Sequence, residues 1–98
     1  MTTTDSNDLD QVANRRVRRL LELAVKYGYG VQPSEHVEGC WAVFRAEAAE
    51  FYYGERHLNV YATRNHSCVV YLADDPGGRE YAPITQRAAS LLLVERCL

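Results

Sequence analysis

The sequence predicts an α+β domain in which a three-stranded antiparallel β-meander carries two helices on one face, in the order α-β-β-β-α. Apolar residues recur at helical spacing near both ends of the chain, and three segments between them read as strands. A length of 98 residues with 47% hydrophobic residues fits a single domain. We expect residues 1–7 to form a mobile acidic tail and residues 8–98 to form the domain.

The first helix is expected over residues 8–28. Apolar side chains in this segment are spaced three and four apart, so they share one side of a helix. Asp8 is followed three residues later by Gln11, which is the spacing of a capping box. Gly28 is a natural stop, because glycine adopts the left-handed conformation that ends many helices.

Three strands are expected at residues 40–45, 56–63 and 67–73. Placing Val60 opposite Val70 requires an odd number of residues in the hairpin loop, which residues 64–66 provide. The helix-covered face then receives the most apolar set: Cys40, Ala42, Phe44, Leu58, Val60, Ala62, Cys68, Val70 and Leu72.

The remaining segments are connections and the second helix. Residues 31–34 are expected to be extended, because Pro33 disfavours the helical region for Gln32. The second helix is expected to begin at Pro83 or Ile84, since proline suits the first position of a helix. It continues close to the end of the sequence.

The reverse face of this predicted sheet collects aromatic residues. Trp41, Tyr61 and Tyr71 share it if the strands alternate as expected, and aromatic rings of this kind are enriched at protein interfaces. The segment Phe51, Tyr52 and Tyr53 either extends this surface or folds over it as an internal cover. The rings also have the chemistry to stack unpaired bases. We expect a surface that binds a host protein or a second copy of the chain, as a homodimer.

An arginine cluster in the first helix supports an alternative function. Arg15, Arg16, Arg18 and Arg19 lie within five residues, and the guanidinium fork matches phosphate geometry. The alternative is a nucleic-acid-binding module. Acidic residues upstream and Glu22 favour instead a solvated, ion-paired helix face, and the formal net charge of the chain is only -2.

Other classes of site find little support in the sequence. His36 and Cys40, or His66 and Cys68, match no zinc-ligand spacing closely. No nucleophile elbow, phosphate-binding loop or paired-carboxylate motif occurs. We therefore expect no catalysis, no cofactor, no metal, no membrane contact and no small-molecule substrate. The absence of a signal peptide and the three widely spaced cysteines predict a cytoplasmic protein with free thiols.

The helix-end segment Ala24-Val25-Lys26-Tyr27-Gly28-Tyr29-Gly30-Val31, followed by residues 40–45, carries a family resemblance. It resembles small accessory proteins encoded by phages and mobile elements of actinobacteria. The order of elements is similar to the double-stranded-RNA-binding domain, whose last helix starts with lysines, whereas this sequence has Ile84-Thr85-Gln86-Arg87. The resemblance implies the fold and a phage or mobile-element origin, and it implies no catalytic residues.

Overall fold

The computed structural model describes residues 9, 12–34, 37–48, 56–65 and 67–98. The elements are helix α1 (Arg15–Lys26), strands β1 (Tyr29–Pro33), β2 (Cys40–Arg45), β3 (Arg56–Ala62), β4 (Cys68–Asp74) and β5 (Tyr81–Ile84), and helix α2 (Gln86–Val94). Each strand pairs antiparallel with the next, so the sheet order is β1-β2-β3-β4-β5. The α+β class is confirmed, but the sheet has five strands rather than the three predicted.

The two additional strands lie at the edges of the sheet. β1 includes residues 31–33 of the segment that was expected to be extended over residues 31–34, and it pairs with β2. β5 contains Pro83, which was expected to open the second helix; that helix begins instead at Gln86 behind the N-cap Thr85. Proline is tolerated on an edge strand, because the outer side of that strand needs no N–H donor.

Helix α1 begins later than predicted. Its N-cap is Asn14, whose side-chain oxygen accepts a hydrogen bond from the Val17 N–H at 3.0 Å. Asparagine is among the preferred N-cap residues, because its side-chain oxygen satisfies one of the free N–H groups of the first turn. The capping box of Asp8 and Gln11 and the tail over residues 1–7 lie outside the described residues. The predicted stop is confirmed, because Gly28 has a φ of 88° just after the helix.

Both helices pack against the same face of the sheet. The core contains four side chains of α1, two of α2, and residues from strands β1 to β4. Neighbouring strands align these core residues: Val31 lies opposite Val43, Val43 opposite Leu58, and Leu58 opposite Leu72. Neither helix in the described part of the chain has the length and apolar character that a membrane crossing requires.

The register of β3 with β4 is confirmed, since Val60 pairs with Val70. The orientation predicted for β2 is wrong. Trp41 pairs with Val60 on the helix side, so Cys40, Ala42 and Phe44 lie on the reverse face. These three residues are also buried, at 5%, 4% and 1% exposure. A strand buried on both faces has no polar alternation from which its orientation could be read.

Candidate functional site

The side of the sheet opposite the helices carries a group of tyrosines on β3, β4 and β5. Strand alternation and the register place Tyr61 and Tyr71 on this side, together with Tyr81. We define the tyrosine face as the six side chains that share this part of the sheet: Asn59, Tyr61, Val69, Tyr71, Tyr81 and Pro83.

Trp41 does not belong to the tyrosine face, contrary to the sequence prediction. It lies on the helix side, half-buried against the core. The prediction failed because it followed the orientation assigned to β2, which is reversed. The predicted contribution of Phe51, Tyr52 and Tyr53, whether as part of the surface or as its cover, lies outside the described residues.

Tyr61 and Tyr71 are held together as a pair. Their ring centroids are 5.6 Å apart with an interplanar angle of 90°, which is the favoured edge-to-face arrangement. Tyr61 lies opposite Cys40, its register partner on β2. Burial, and after it the neighbouring Cys40 thiol, raises the pKa of Tyr61 to about 12 from 10.0. Burial also raises the pKa of the Cys40 thiol, so both groups are neutral at physiological pH.

Tyr81 was missed by the sequence analysis. Its hydroxyl lies 2.9 Å from Nε2 of His57, and the two rings meet edge to face at 5.5 Å. His57 is 3% exposed, whereas Tyr81 is 44% exposed. Tyr81 therefore links a buried imidazole to the open part of the face. The turn at residues 75–78 could have indicated β5, because a turn that follows a strand often begins a hairpin. Tyr81 lies on the second strand of that hairpin.

The tyrosine face is free of formal charge. On this side of all five strands, alternation places no Asp, Glu, Lys or Arg side chain. The charged residues of the strands lie on the helix side: Arg45 pairs with Tyr29, and Arg56 forms an ion pair with Asp74 at 3.4 Å. The face presents aromatic rings, hydroxyls and one amide in place of charge.

The edges of the sheet are poorly suited to strand addition. Pro33 ends β1 and Pro83 lies within β5, and these are the two outer strands. Prolines on edge strands interrupt the row of N–H donors that another strand would need. A partner of this sheet would therefore contact its face rather than its edge.

The arginine cluster lies on the solvent side of α1. Arg15, Arg16 and Arg19 are exposed and Arg18 is partly exposed, while Val17 between them is buried. Arg18 is partly neutralised, since its Nε lies 3.8 Å from the Glu22 carboxylate. The absence of an acidic residue in the first turn leaves these cations at the positive end of the helix dipole.

Hydrogen bonds bring the starts of both helices to one end of the sheet. Asn14 Nδ2 donates to the Ser67 carbonyl at 3.3 Å, and Gln86 Nε2 donates to the Cys68 carbonyl at 3.1 Å. The exposed side chain of Arg87 follows Gln86. We call the exposed arginines next to these contacts the arginine end: Arg15, Arg16 and Arg87. Arg87 was not identified from the sequence, because the two helix starts come together only through their contacts with Ser67 and Cys68.

Among the described residues, no three His, Cys, Asp or Glu side chains come close enough to hold a metal ion. His36 and His66 lie outside those residues. Cys40 and Cys68 are both buried, and burial raises the pKa of each thiol. Thiolate is the nucleophilic form, so neither thiol is activated for nucleophilic chemistry.

Comparison of the chain with models of known protein families, with curated proteins and with solved structures found no significant match in any of the three.

Proposed function

We propose that this domain is a non-enzymatic interaction module that binds another protein through the tyrosine face, and that the partner is a second copy of the chain. The observation that carries the proposal is the edge-to-face pair of Tyr61 and Tyr71 beside the exposed ring of Tyr81. Tyrosines fixed in this way bury area at low entropic cost and offer hydroxyls for hydrogen bonds.

The lack of charge favours a protein partner over nucleic acid at this surface. Platforms that stack single-stranded bases combine aromatic rings with a positively charged groove that follows the backbone. The tyrosine face has the rings, but the arginines of the strands lie on the other side of the sheet. A protein surface, or the same face of a second copy, requires no such charge.

The size of the surface sets the expected strength of binding. The tyrosine face is three strands wide and five residues long, so it measures roughly 14 Å by 17 Å and has an area of about 240 Å². A stable protein interface buries about 800 Å² per partner. The tyrosine face alone therefore supports a reversible association whose extent depends on concentration, with two faces packed against each other around a two-fold axis.

Sedimentation velocity over a range of concentrations tests the self-association. Tyr71→Arg places a charge in the centre of the face, whereas Leu91→Arg places the same charge on an exposed apolar residue of α2. We expect the wild type and L91R to associate as concentration rises and Y71R to stay monomeric, with circular dichroism confirming that each is folded. A wild type that is monomeric throughout, or equal effects of both variants, would overturn the homodimer.

A second candidate function, nucleic-acid binding, is favoured by the arginine end. The contacts of Asn14 and Gln86 with the β3–β4 hairpin place two helix starts side by side. Helix N-termini and arginines both favour phosphate oxygens. Two observations weigh against nucleic-acid binding, because both reduce the positive charge: Glu22 pairs with Arg18, and the chain has a net charge of -2.

Electrophoretic mobility shifts at low salt test this second function with double-stranded RNA, double-stranded DNA and single strands. Changing Arg15, Arg16, Arg18 and Arg19 together to Gln should abolish binding, and wild-type affinity should fall steeply with added salt. The Y71R variant should bind as the wild type does. Absence of any shift, or binding that the arginine variant retains, rejects this function without affecting the homodimer.

A further inference from the structure

A groove of about 370 Å³ lies on the helix-bearing side of the sheet, away from the tyrosine face. It is formed where three parts of the fold meet: the turn between α1 and β1, the end of β2, and the residues after α2. Its volume falls at the lower end of the range for small-molecule sites. The side chains that matter for its chemistry are Tyr29, Arg45, Glu47 and Arg96.

Arg45 is held at the wall of the groove by a main-chain contact. Its Nε donates a hydrogen bond of 2.8 Å to the Leu98 main-chain oxygen. Among the described residues, the acidic side chains that form ion pairs are Glu22 and Asp74, and their partners are Arg18 and Arg56 rather than Arg45 or Arg96. The bond to Leu98 uses Nε, so the two terminal nitrogens of Arg45 remain as donors, and arginine binds carboxylate or phosphate oxygens through nitrogens of this kind.

Tyr29 adds a third donor to the same groove. Its hydroxyl oxygen accepts a hydrogen bond from the Leu98 N–H at 3.3 Å. That bond uses a lone pair of the oxygen and leaves the hydroxyl hydrogen for donation. Leu98, whose side chain is 1% exposed, therefore fixes both Tyr29 and Arg45.

Arg96 occupies a backbone conformation that disfavours arginine. It has a φ of 55°, the only positive φ among the non-glycine residues that the structure describes. The Cys97 N–H bonds to the Leu92 carbonyl at 2.9 Å and the Arg96 N–H to the Leu93 carbonyl at 3.2 Å, which is the Schellman ending of a helix. Glycine is the usual residue at this position, so an arginine here places a guanidinium at the groove despite the strain.

We propose that this groove binds a small oxyanion, a carboxylate or a phosphate group, carried by a molecule that also bears a hydroxyl. Arg45, Arg96 and Tyr29 donate to the oxyanion. The Glu47 carboxylate, on the same wall, accepts from the hydroxyl and disfavours ligands that are only anionic. The site is independent of the proposed protein interface, because it lies on the other side of the sheet.

Amide chemical-shift titration by NMR in a chloride buffer at constant ionic strength tests the site. The probes are inorganic phosphate, glycerol phosphate and malate, which separate phosphate from carboxylate recognition. We expect saturable shifts for Tyr29, Arg45 and Arg96, with glycerol phosphate or malate binding more tightly than inorganic phosphate. Linear, non-saturating shifts with all three probes would overturn the proposal.

Variants locate the binding. Arg96→Gln removes the charge and keeps the strained backbone, and Tyr29→Phe removes only a hydroxyl. Loss of a charged hydrogen bond should weaken the affinity of R96Q about tenfold. Arg79→Gln, which changes an exposed arginine in the turn between β4 and β5, is the matched control and should bind as the wild type does. Unchanged affinity in both R96Q and Y29F, or an equal loss in R79Q, would show that binding occurs elsewhere and reject the site.

Discussion

The ring of Phe44 packs directly on Gly30, its pairing partner across β1 and β2. A Cβ at position 30 would lie 2.6 Å from Cε2 of Phe44 and 3.0 Å from Cζ. Phe44 is 1% exposed, so its ring has little room to withdraw. The glycine is needed for this close approach rather than for an unusual backbone angle.

Gly30→Ala should therefore destabilise the protein. Overpacking of a buried site costs about 1–3 kcal/mol, and we expect a loss of that size in the free energy of unfolding measured with urea. Gly77→Ala is the control, because the nearest atom to a Cβ there is 3.5 Å away. Equal stability of G30A and the wild type would mean that the Phe44 ring moves without cost.

Strands β2, β3 and β4 show which parts of the fold could be predicted from the sequence. β3 places the apolar Leu58 and Val60 on one face and the more polar Asn59 and Tyr61 on the other, so its register with β4 and the face of Tyr61 and Tyr71 were predicted correctly. Phe44 belongs to β2, which is buried on both faces, so residue type could not reveal its orientation or that of Trp41. Hydrophobic pattern reports burial, and it identifies a face only when the opposite face is polar.

The edge strand β5 and the groove were beyond prediction for different reasons. β5 has four residues, three of them exposed, so it lacks the apolar alternation that identifies a strand. Its pairing depends on the hairpin with β4 rather than on its own composition.

The groove brings together Tyr29, Arg45 and Arg96, which are distant in sequence and share no motif. The contacts of Leu98, beyond the end of α2, with Tyr29 and Arg45 make them neighbours.

Tyr81→Phe tests the contact between the tyrosine face and the buried His57. The change removes one hydroxyl and leaves the edge-to-face ring contact in place. Since His57 is 3% exposed, loss of this partner should lower the free energy of unfolding by about 1–2 kcal/mol. Tyr71→Phe, whose ring contact with Tyr61 survives, should change stability by less than about 0.5 kcal/mol. Equal urea midpoints for Y81F and Y71F would contradict this role of the Tyr81 hydroxyl.

The raised pKa of Tyr61 predicts a loss of stability at alkaline pH. The unfolded tyrosine loses its proton near 10.0, whereas folded Tyr61 keeps it until about 12. Between these values the unfolded state binds fewer protons, so stability falls as pH rises. The contribution of Tyr61 is complete below pH 10.0 and absent above about 12.

Urea unfolding of the wild type and Tyr61→Phe across this pH range measures the effect. The wild type should lose stability more steeply than Y61F between pH 10.0 and about 12. The Cys40 thiol, whose pKa burial also raises, is present in both proteins, and Y61F removes only the hydroxyl opposite it. If the free energy of unfolding falls equally in both proteins as pH rises, Tyr61 titrates as an ordinary exposed tyrosine.

Asn14 performs two tasks that substitution can separate. Its Oδ1 caps α1 by accepting from the Val17 N–H, and its Nδ2 donates to the Ser67 carbonyl. Asn14→Ala loses both bonds and should cost about 1–2 kcal/mol of stability. Asn14→Asp keeps the cap and loses only the bond to Ser67, so we expect thermal unfolding to place N14D between N14A and the wild type. An N14D as unstable as N14A would mean that the link to the hairpin is the more important of the two.

Arg96→Gly should stabilise the protein, in contrast to most substitutions. Glycine removes the left-handed strain at a φ of 55° and leaves the Schellman hydrogen bonds in place. We expect a gain of about 1 kcal/mol in the free energy of unfolding, measured by urea denaturation. Arg96→Gln keeps a β-carbon and the strain, so it should match the wild type in stability while losing affinity for oxyanions. If R96G gains no stability, the backbone at Arg96 is unstrained, and the arginine then needs no ligand to account for its position.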